Sequence, residues 1–260
     1  MWAGAWRIAT IARLGAPQAI LGPGTVQRID PACPSPYSPQ PMPPGLSHID
    51  AWIFDLDNTL YPAGADLFAL IDVKMTDYIA RLLETDRVEA RRIQKAYFLG
   101  HGTTLAGLMA HHEVDPDDYL AFVHDIEMDV LEENVPLAAA IARLPGRKVV
   151  FTNADGPYAQ RVLDRLGLGR SFEAVHDIQA MDLAPKPLPS AYAGLCERLS
   201  IDPATALFAD DMARNLAPAK AIGMTTLWVD NGSEQSADPD RSFIDHVTPD
   251  LTAWLEGILA

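Results

Sequence analysis

Three short stretches put carboxylates or small hydrogen-bonding side chains where an apolar run gives out. "WIFDLDNTL" (52–60) ends its run on Asp55 and Asp57, "KVVFTN" (148–153) on Thr152 and Asn153, and "ALFADD" (206–211) on Asp210 and Asp211. In an extended strand residues i and i+2 point to the same side, so Asp55 and Asp57 can face one crevice together. Asp and Asn at a strand end are common turn residues, so any one pair carries little weight; three strands that all end this way are harder to dismiss. Four carboxylates converging in a low dielectric repel strongly, which implies a bound cation. Hard oxygen donors with no His or Cys among them select magnesium over zinc. A magnesium ion held by carboxylates suits an anionic substrate, most often a phosphate. One of the two aspartates can then attack phosphorus while the other, kept protonated by its crowded neighbourhood, protonates the departing alkoxide.

Such side chains need a sheet to bring them together. "AWIFDLD" (51–57), "KVVFTN", "ALFADD" and "TTLWVD" (225–230) are near-continuous apolar runs, with "FEAVHDI" (172–178) a weaker fifth. Runs of this kind suit a parallel sheet covered on both faces. Helical patterning in "PYAQRVLDRLGLG", "SAYAGLCERLSI" and "ARNLAPAKAIGM" separates the later ones. The alternation predicts a doubly wound α/β domain with its ligand site beyond the carboxyl ends of the strands. The long interval between Asp57 and Lys148 breaks that rhythm and reads as helix. In "DLFALIDVKMTDYIARLLE" (66–84), Phe68, Ile71, Met75, Tyr78, Ile79 and Leu82 recur at helical spacing. In "DPDDYLAFVHDIEMDVL" (115–131), Asp115, Pro116 and Asp118 suit the N-cap, N1 and N3 positions. A helical insertion lying over the strand ends is therefore expected after the first strand.

The chain has 260 residues and a formal net charge of −15. All of the negative excess lies beyond residue 47, since residues 1–47 hold Arg7, Arg13 and Arg28 against Asp30 alone. A strongly acidic body disfavours nucleic-acid polymers and anionic membrane surfaces as partners, and no apolar stretch is long enough to span a bilayer. Cys33 and Cys196 lie far apart with no CxxC, which fits a reducing, cytoplasmic setting. The sequence specifies no oligomeric state. "PACPSPYSPQPMPPG" (31–45) is too dense in proline for helix or strand, so residues 1–47 read as a disordered leader. The first residues, "MWAGAWRIATIARLGAPQ", carry arginines and no acids but lack the apolar core and cleavage site of a targeting peptide. A start at Met42, just ahead of the first patterned strand, is an equally simple reading. The expected organisation is a leader over 1–47, an α/β core over 48–65 and 146–260, and a helical cap over 66–145.

"DLDNT" (55–59), "FTN" (151–153), the lysine of "APKPLPSAY" (Lys186) and "FADDMARN" (208–215) resemble, in order, the four motifs of haloacid dehalogenase-like (HAD) phosphatases. The resemblance implies a Rossmann-like core, a helical cap inserted after the first strand, and a magnesium cofactor. It implies that Asp55 is the nucleophile that becomes an aspartyl-phosphate. Asp57 would be the general acid that later activates water, and would also ligate the metal through its backbone carbonyl. Thr152 and Asn153 would hydrogen-bond the phosphoryl oxygens, Lys186 would neutralise charge on Asp55 and the phosphate, and Asp210 and Asp211 would join Asp55 in holding the metal. These roles make physical sense, because phosphoryl transfer depends on positioning and on neutralising the equatorial oxygens. The dehalogenases of this superfamily lack the second aspartate, so Asp57 argues for phosphate chemistry.

Within the superfamily the likeness is to pyrimidine 5′-nucleotidases, carried by "FDLDNTLYP" (54–62), the cap stretch "AYFLGHGTTLAGLMAHHEVDPDDYLAFVHD" (96–125) and "FADDMARN", which departs from relatives that often have Ser at Met212. That likeness implies a small phosphorylated substrate, a pyrimidine nucleoside 5′-monophosphate. A sugar phosphate or similar metabolite is the alternative substrate, and a binding protein without turnover the alternative class. Tyr61 either packs over the leaving group or starts the cap hinge. Asn215 either braces Asp211 or caps a helix turn. His101, His111, His112 and His124 read as surface or core residues of amphipathic cap helices, and Lys186 taken alone, between Pro185 and Pro187, as a solvated loop residue.

Overall fold

The structure, a computed structural model, describes residues 27–28, 42–233 and 240–260. Most of the expected leader lies outside the described residues. The strands are β1 (Gln27–Arg28), β2 (Ala51–Phe54), β3 (Arg147–Phe151), β4 (Ala174–His176), β5 (Ala206–Asp210), β6 (Thr225–Val229) and β7 (His246–Thr248). The helices are α1 (Leu67–Leu82), α2 (Arg87–His101), α3 (Thr104–His111), α4 (Pro116–Val123), α5 (Val135–Arg143), α6 (Gly156–Arg165), α7 (Pro189–Leu199), α8 (Ala213–Ala221) and α9 (Leu251–Ile258).

The strands form one sheet in the order β1-β4-β3-β2-β5-β6-β7. Six of them run parallel, and β1 lies antiparallel against β4 with Gln27 opposite Val175. The chain starts the parallel sheet at β2, builds outward through β3 and β4, then returns to the other side of β2 with β5. The fold is thus the expected α/β, Rossmann-like, doubly wound sheet, and the reversal beside β2 opens a crevice at the carboxyl ends of β2, β3 and β5. Trp52, Ile53 and Phe54 are fully buried in succession, as are Leu207, Phe208 and Ala209. Burial without alternation means helices cover both faces, the condition under which parallel strands are stable. Register aligns the strand ends: Phe54 stands opposite Val150 and Ala209.

Between β2 and β3 the chain forms a short 3-10 helix (Ala63–Ala65) and five α-helices, the expected helical insertion. Asp115 caps α4 by accepting from the backbone N–H groups of Asp117 and Asp118, and Pro116 takes the first turn. Helix α4 stops at Val123, short of the patterned stretch that runs on to Leu131. Helices α1 to α4 pack on one another, whereas α5 packs against α9. Two glycines shape the helical layer. Gly102, at φ 85°, ends α2 in a conformation that a side chain would strain, and a Cβ at Gly107 would collide with the Tyr97 side chain where α3 crosses α2. Among the described residues no helix is long and apolar enough to cross a membrane.

Candidate active site

Asp55 follows the last residue of β2, and its backbone N–H donates to Ala209 O on β5 at 2.9 Å. The alternation of the strand sends Leu56 into the core and leaves Asp55 and Asp57 on the crevice side. Lys186, from the loop between β4 and α7, reaches across 131 positions of sequence to donate to Asp55 Oδ1 at 2.7 Å. The same Nζ donates to Asp210 Oδ2 at 2.7 Å and to Phe151 O at 2.9 Å. Its ammonium lies 5.1 and 5.2 Å from the ring centroids of Phe151 and Phe208. Far from a solvated loop residue, Lys186 is 1% exposed. Burial pushes the ammonium down, but Asp210 and Asp55 outweigh it, and the net shift is upward.

The two strand-end aspartates of β5 divide. Asp210 is fully buried: its Oδ1 accepts from Met212 N at 2.8 Å, and both of its oxygens accept from Asn215 Nδ2 at 2.9 and 3.1 Å. Asn215 therefore braces Asp210 and not Asp211, because the first turn of α8 carries its amide over the end of β5. Asp211 lines the cavity, and its backbone N–H donates to Thr59 Oγ1 at 3.1 Å, while that hydroxyl donates to Asp55 Oδ2 at 3.3 Å. Thr59, the last residue of "DLDNT", so ties the ends of β2 and β5 together.

Asp55, Asp210 and Asp211 each present a carboxylate oxygen, and these atoms lie within 4.8 Å of one another. Burial pushes the Asp55 carboxyl up to about 7, with Asp210 and Asp57 adding to it against the pull of Lys186. Burial likewise raises Asp211 well above the usual carboxylate range, helped by Asp210 and Asp55. One lysine does not neutralise this crowd. A hard divalent cation fits the donor set, since every available ligand atom is a carboxylate oxygen and the excess charge is negative.

On β3, Thr152 accepts from Ala154 N at 3.1 Å, which leaves its hydroxyl proton free to point into the cavity it lines. Asn153 lines the cavity too, but its amide is engaged with the Lys186 backbone in both directions: Lys186 N donates to Oδ1 at 2.8 Å and Nδ2 donates to Lys186 O at 3.1 Å. Its side chain holds the lysine loop in place.

Tyr61 neither covers a leaving group nor merely begins the hinge. Its hydroxyl donates to Asp57 Oδ1 at 2.6 Å, and Tyr158 from α6 donates to the same oxygen at 2.7 Å. Tyr158 carried no sequence signal beyond its place on the apolar face of α6. Its ring stacks on His124 with centroids 4.3 Å apart, and His124 Nδ1 lies 2.8 Å from Asp155 Oδ2. His101, His111 and His112 gather around the Tyr97 ring and do not line the cavity.

Between these strand ends and the helices above them lies a cavity of about 450 Å³. Asp55, Asp57, Thr152, Asn153, Lys186 and Asp211 form its floor. Its far wall mixes apolar groups such as Phe68, Ile71 and Met75 with Asp72, Arg91 and Lys95. Asp72 Oδ1 accepts from Lys95 at 3.0 Å and from Gln94 at 2.7 Å, and its Oδ2 accepts from Arg91. Nothing in the helical pattern distinguished these wall residues from an ordinary solvated face.

Residues 49–223 match the haloacid dehalogenase-like hydrolases. The chain is 27% identical over 203 residues to phosphate metabolism protein 8 of Saccharomyces cerevisiae, a match covering 70% of this chain and 63% of that protein. It is 27% identical over 222 residues to a phosphoglycolate phosphatase of Pseudomonas putida, covering 79% of this chain and 78% of the relative. Among solved structures it is similar to a HAD phosphatase of Thermococcus onnurineus, with TM-score 0.55 and 19% identity over 82% of this chain and 98% of the other.

Proposed function

Because this chain belongs to the haloacid dehalogenase-like hydrolase family, we propose that it hydrolyses phosphate monoesters through an aspartyl-phosphate on Asp55, with magnesium as cofactor. The observation that carries this reading is that Asp55 and Asp57 face one cavity with different surroundings, Asp55 against Lys186 and Asp57 against two phenols. A carboxylate oxygen of Asp55 bonds to phosphorus as the ester P–O bond breaks, and Asp57 gives a proton to the departing alkoxide. Water then attacks phosphorus and gives a proton to Asp57, the bond to Asp55 breaks, and inorganic phosphate leaves. The Thr152 hydroxyl donates to the phosphoryl oxygens, Asn153, its amide already engaged, contributes its backbone N–H, and Lys186, whose three N–H groups are taken by Asp55, Asp210 and Phe151 O, neutralises charge on Asp55 and the phosphate. Held by Asp55, Asp210, Asp211 and the Asp57 carbonyl, magnesium would neutralise the equatorial oxygens.

The substrate we propose is a pyrimidine nucleoside 5′-monophosphate, turned over in a reducing cytoplasmic compartment. The likeness of residues 96–125 to the caps of pyrimidine nucleotidases supports it, as does a cavity of about 450 Å³ that offers a nucleoside both apolar and hydrogen-bonding walls. A second reading, a small phosphorylated acid, is favoured by Arg91 and Lys95 on the cavity wall, two cations that share the single carboxylate of Asp72 and so leave one positive charge for a substrate carboxylate. The deciding measurement is kcat/KM for UMP, CMP, dTMP, AMP, a sugar phosphate and 2-phosphoglycolate. Preference for the three pyrimidine nucleotides is expected. A preference for 2-phosphoglycolate selects the second reading, and equal values across the panel reject both.

A further inference from the structure

Asp57 has two carboxylate oxygens with unequal surroundings. Oδ1 accepts from Tyr61 at 2.6 Å and from Tyr158 at 2.7 Å, which occupies both of its lone-pair directions. Among the described residues no donor meets Oδ2, and Asp57 lines the cavity. The two phenols reach Asp57 from different parts of the chain. Tyr61 sits four residues further along the same turn, whereas Tyr158 comes from α6, 101 positions away. Both rings are almost fully buried, at 2% and 1% exposure, and neither lines the cavity, so neither can touch a substrate there.

The rings themselves are held. Asp155 caps α6 by accepting from Tyr158 N at 2.8 Å through Oδ1, while its Oδ2 meets His124 Nδ1 at 2.8 Å. His124 in turn lies flat on the Tyr158 ring, with the two planes 17° apart. Each phenol donates its proton to the Asp57 carboxylate, which as an ionised group can only accept.

We propose that Tyr61 and Tyr158 are positioning residues for proton transfer: by fixing Oδ1 of Asp57 between them, they assign its Oδ2 to the leaving group and then to the attacking water. This rests on the reading of Asp57 as the acid of an aspartyl-phosphate mechanism. In the first step Asp55 bonds to phosphorus, the ester P–O bond breaks, and the Oδ2 proton passes to the alkoxide to give the free alcohol. In the second, water adds to phosphorus, one of its protons returns to Oδ2, and the bond to Asp55 breaks. A carboxylate free to rotate would present either oxygen, or neither, to those two positions.

The test uses the leaving group. Because p-nitrophenolate departs readily without a proton and an alkoxide does not, the ratio of kcat/KM for p-nitrophenyl phosphate to that for ethyl phosphate reports proton delivery in the first step. The ratio is taken within one protein sample, so it is insensitive to the fraction that folds. Tyr61→Phe and Tyr158→Phe are each expected to raise it about tenfold, and the double variant further, with Asp57→Asn raising it most. An unchanged ratio in both tyrosine variants, alongside a raised ratio in Asp57→Asn, overturns the positioning role and leaves the mechanism standing. An unchanged ratio in Asp57→Asn overturns the acid assignment and the positioning role with it.

Discussion

Lys186 Nζ and Asp55 Oδ1 meet at 2.7 Å with both side chains nearly closed off from water, although 131 residues separate them in sequence. A buried ammonium needs partners on every side, and this one has a second carboxylate in Asp210 and the Phe151 carbonyl. The lysine therefore joins the ends of β2, β3 and β5 into one unit. The order of those strands in the sheet puts Phe151 and Asp210 on either side of Asp55, so the ion cluster follows from topology and register.

Removing the lysine separates its structural role from its chemical one. Lys186→Met leaves Asp55 and Asp210 facing each other without their shared cation, and breaking a buried pair in this way costs roughly 3–5 kcal/mol. Urea unfolding at pH 7 is expected to show a loss of that order together with loss of phosphatase activity. A variant as stable as the parent would show that the pair contributes nothing net to the fold.

Asp55→Asn behaves differently. It removes one negative group from a crowd that pushes the Asp55 carboxyl up to about 7, so the fold should survive and the metal-free protein should lose little stability. Turnover of p-nitrophenyl phosphate should fall to the background rate, because an amide cannot form the phosphoryl bond. Near-parental release of phosphate from the purified variant removes Asp55 as nucleophile.

The parts of the molecule that were legible in the sequence are those whose pattern records burial on both sides. The strands β2, β3, β5 and β6 each carry a short buried apolar run because helices cover both faces, and the polar residues at the ends of β2, β3 and β5 mark the crevice. Strands β1 and β7, of two and three residues, are held at the sheet edges by backbone pairing, which leaves no side-chain period to read. Helix α5 has the same amphipathic pattern as its predecessors, and only the packing shows that its partner is α9. In the site, Lys186 is legible only through its order among the other motifs, because a lysine between two prolines has no local signature of burial. Tyr158 is not legible, because Tyr158, Ala159, Val162 and Leu163 form an ordinary buried helix face, and nothing in that spacing marks one hydroxyl as bound to Asp57.

Metal dependence should be visible in stability as well as rate. A cation that binds the folded chain and not the unfolded one raises stability by about 2.7 kcal/mol at a hundredfold excess over its Kd. Magnesium is expected to raise the Tm of the EDTA-treated protein and restore its activity, and Asp211→Asn, which removes a cavity-facing ligand, should lose both effects. A Tm that does not respond to magnesium in the parent would mean that the three carboxylates are not its site.

His176 is expected to contribute to the acid limit of the fold. It ends β4 completely buried, and among the described residues neither ring nitrogen has a hydrogen-bond partner. Burial, with Arg198 adding to it and Asp182 opposing, pulls the imidazole down to about 4 from the usual 6.5. The folded chain therefore keeps the ring neutral at a pH where the unfolded chain has already taken up a proton, so stability is full above about 6.5 and falls as pH drops towards 4. The gap in pKa corresponds to a loss of about 3 kcal/mol once both states are protonated. His176→Phe, which replaces the ring by an apolar one beside Phe151, should flatten that part of the acid limb and leave stability at pH 7 the same or higher, since two unpartnered polar atoms are gone. Urea midpoints of the parent and the variant at pH 7.5, 6 and 5 give the comparison. If the two proteins lose stability in parallel between those values, the acid sensitivity belongs to other groups.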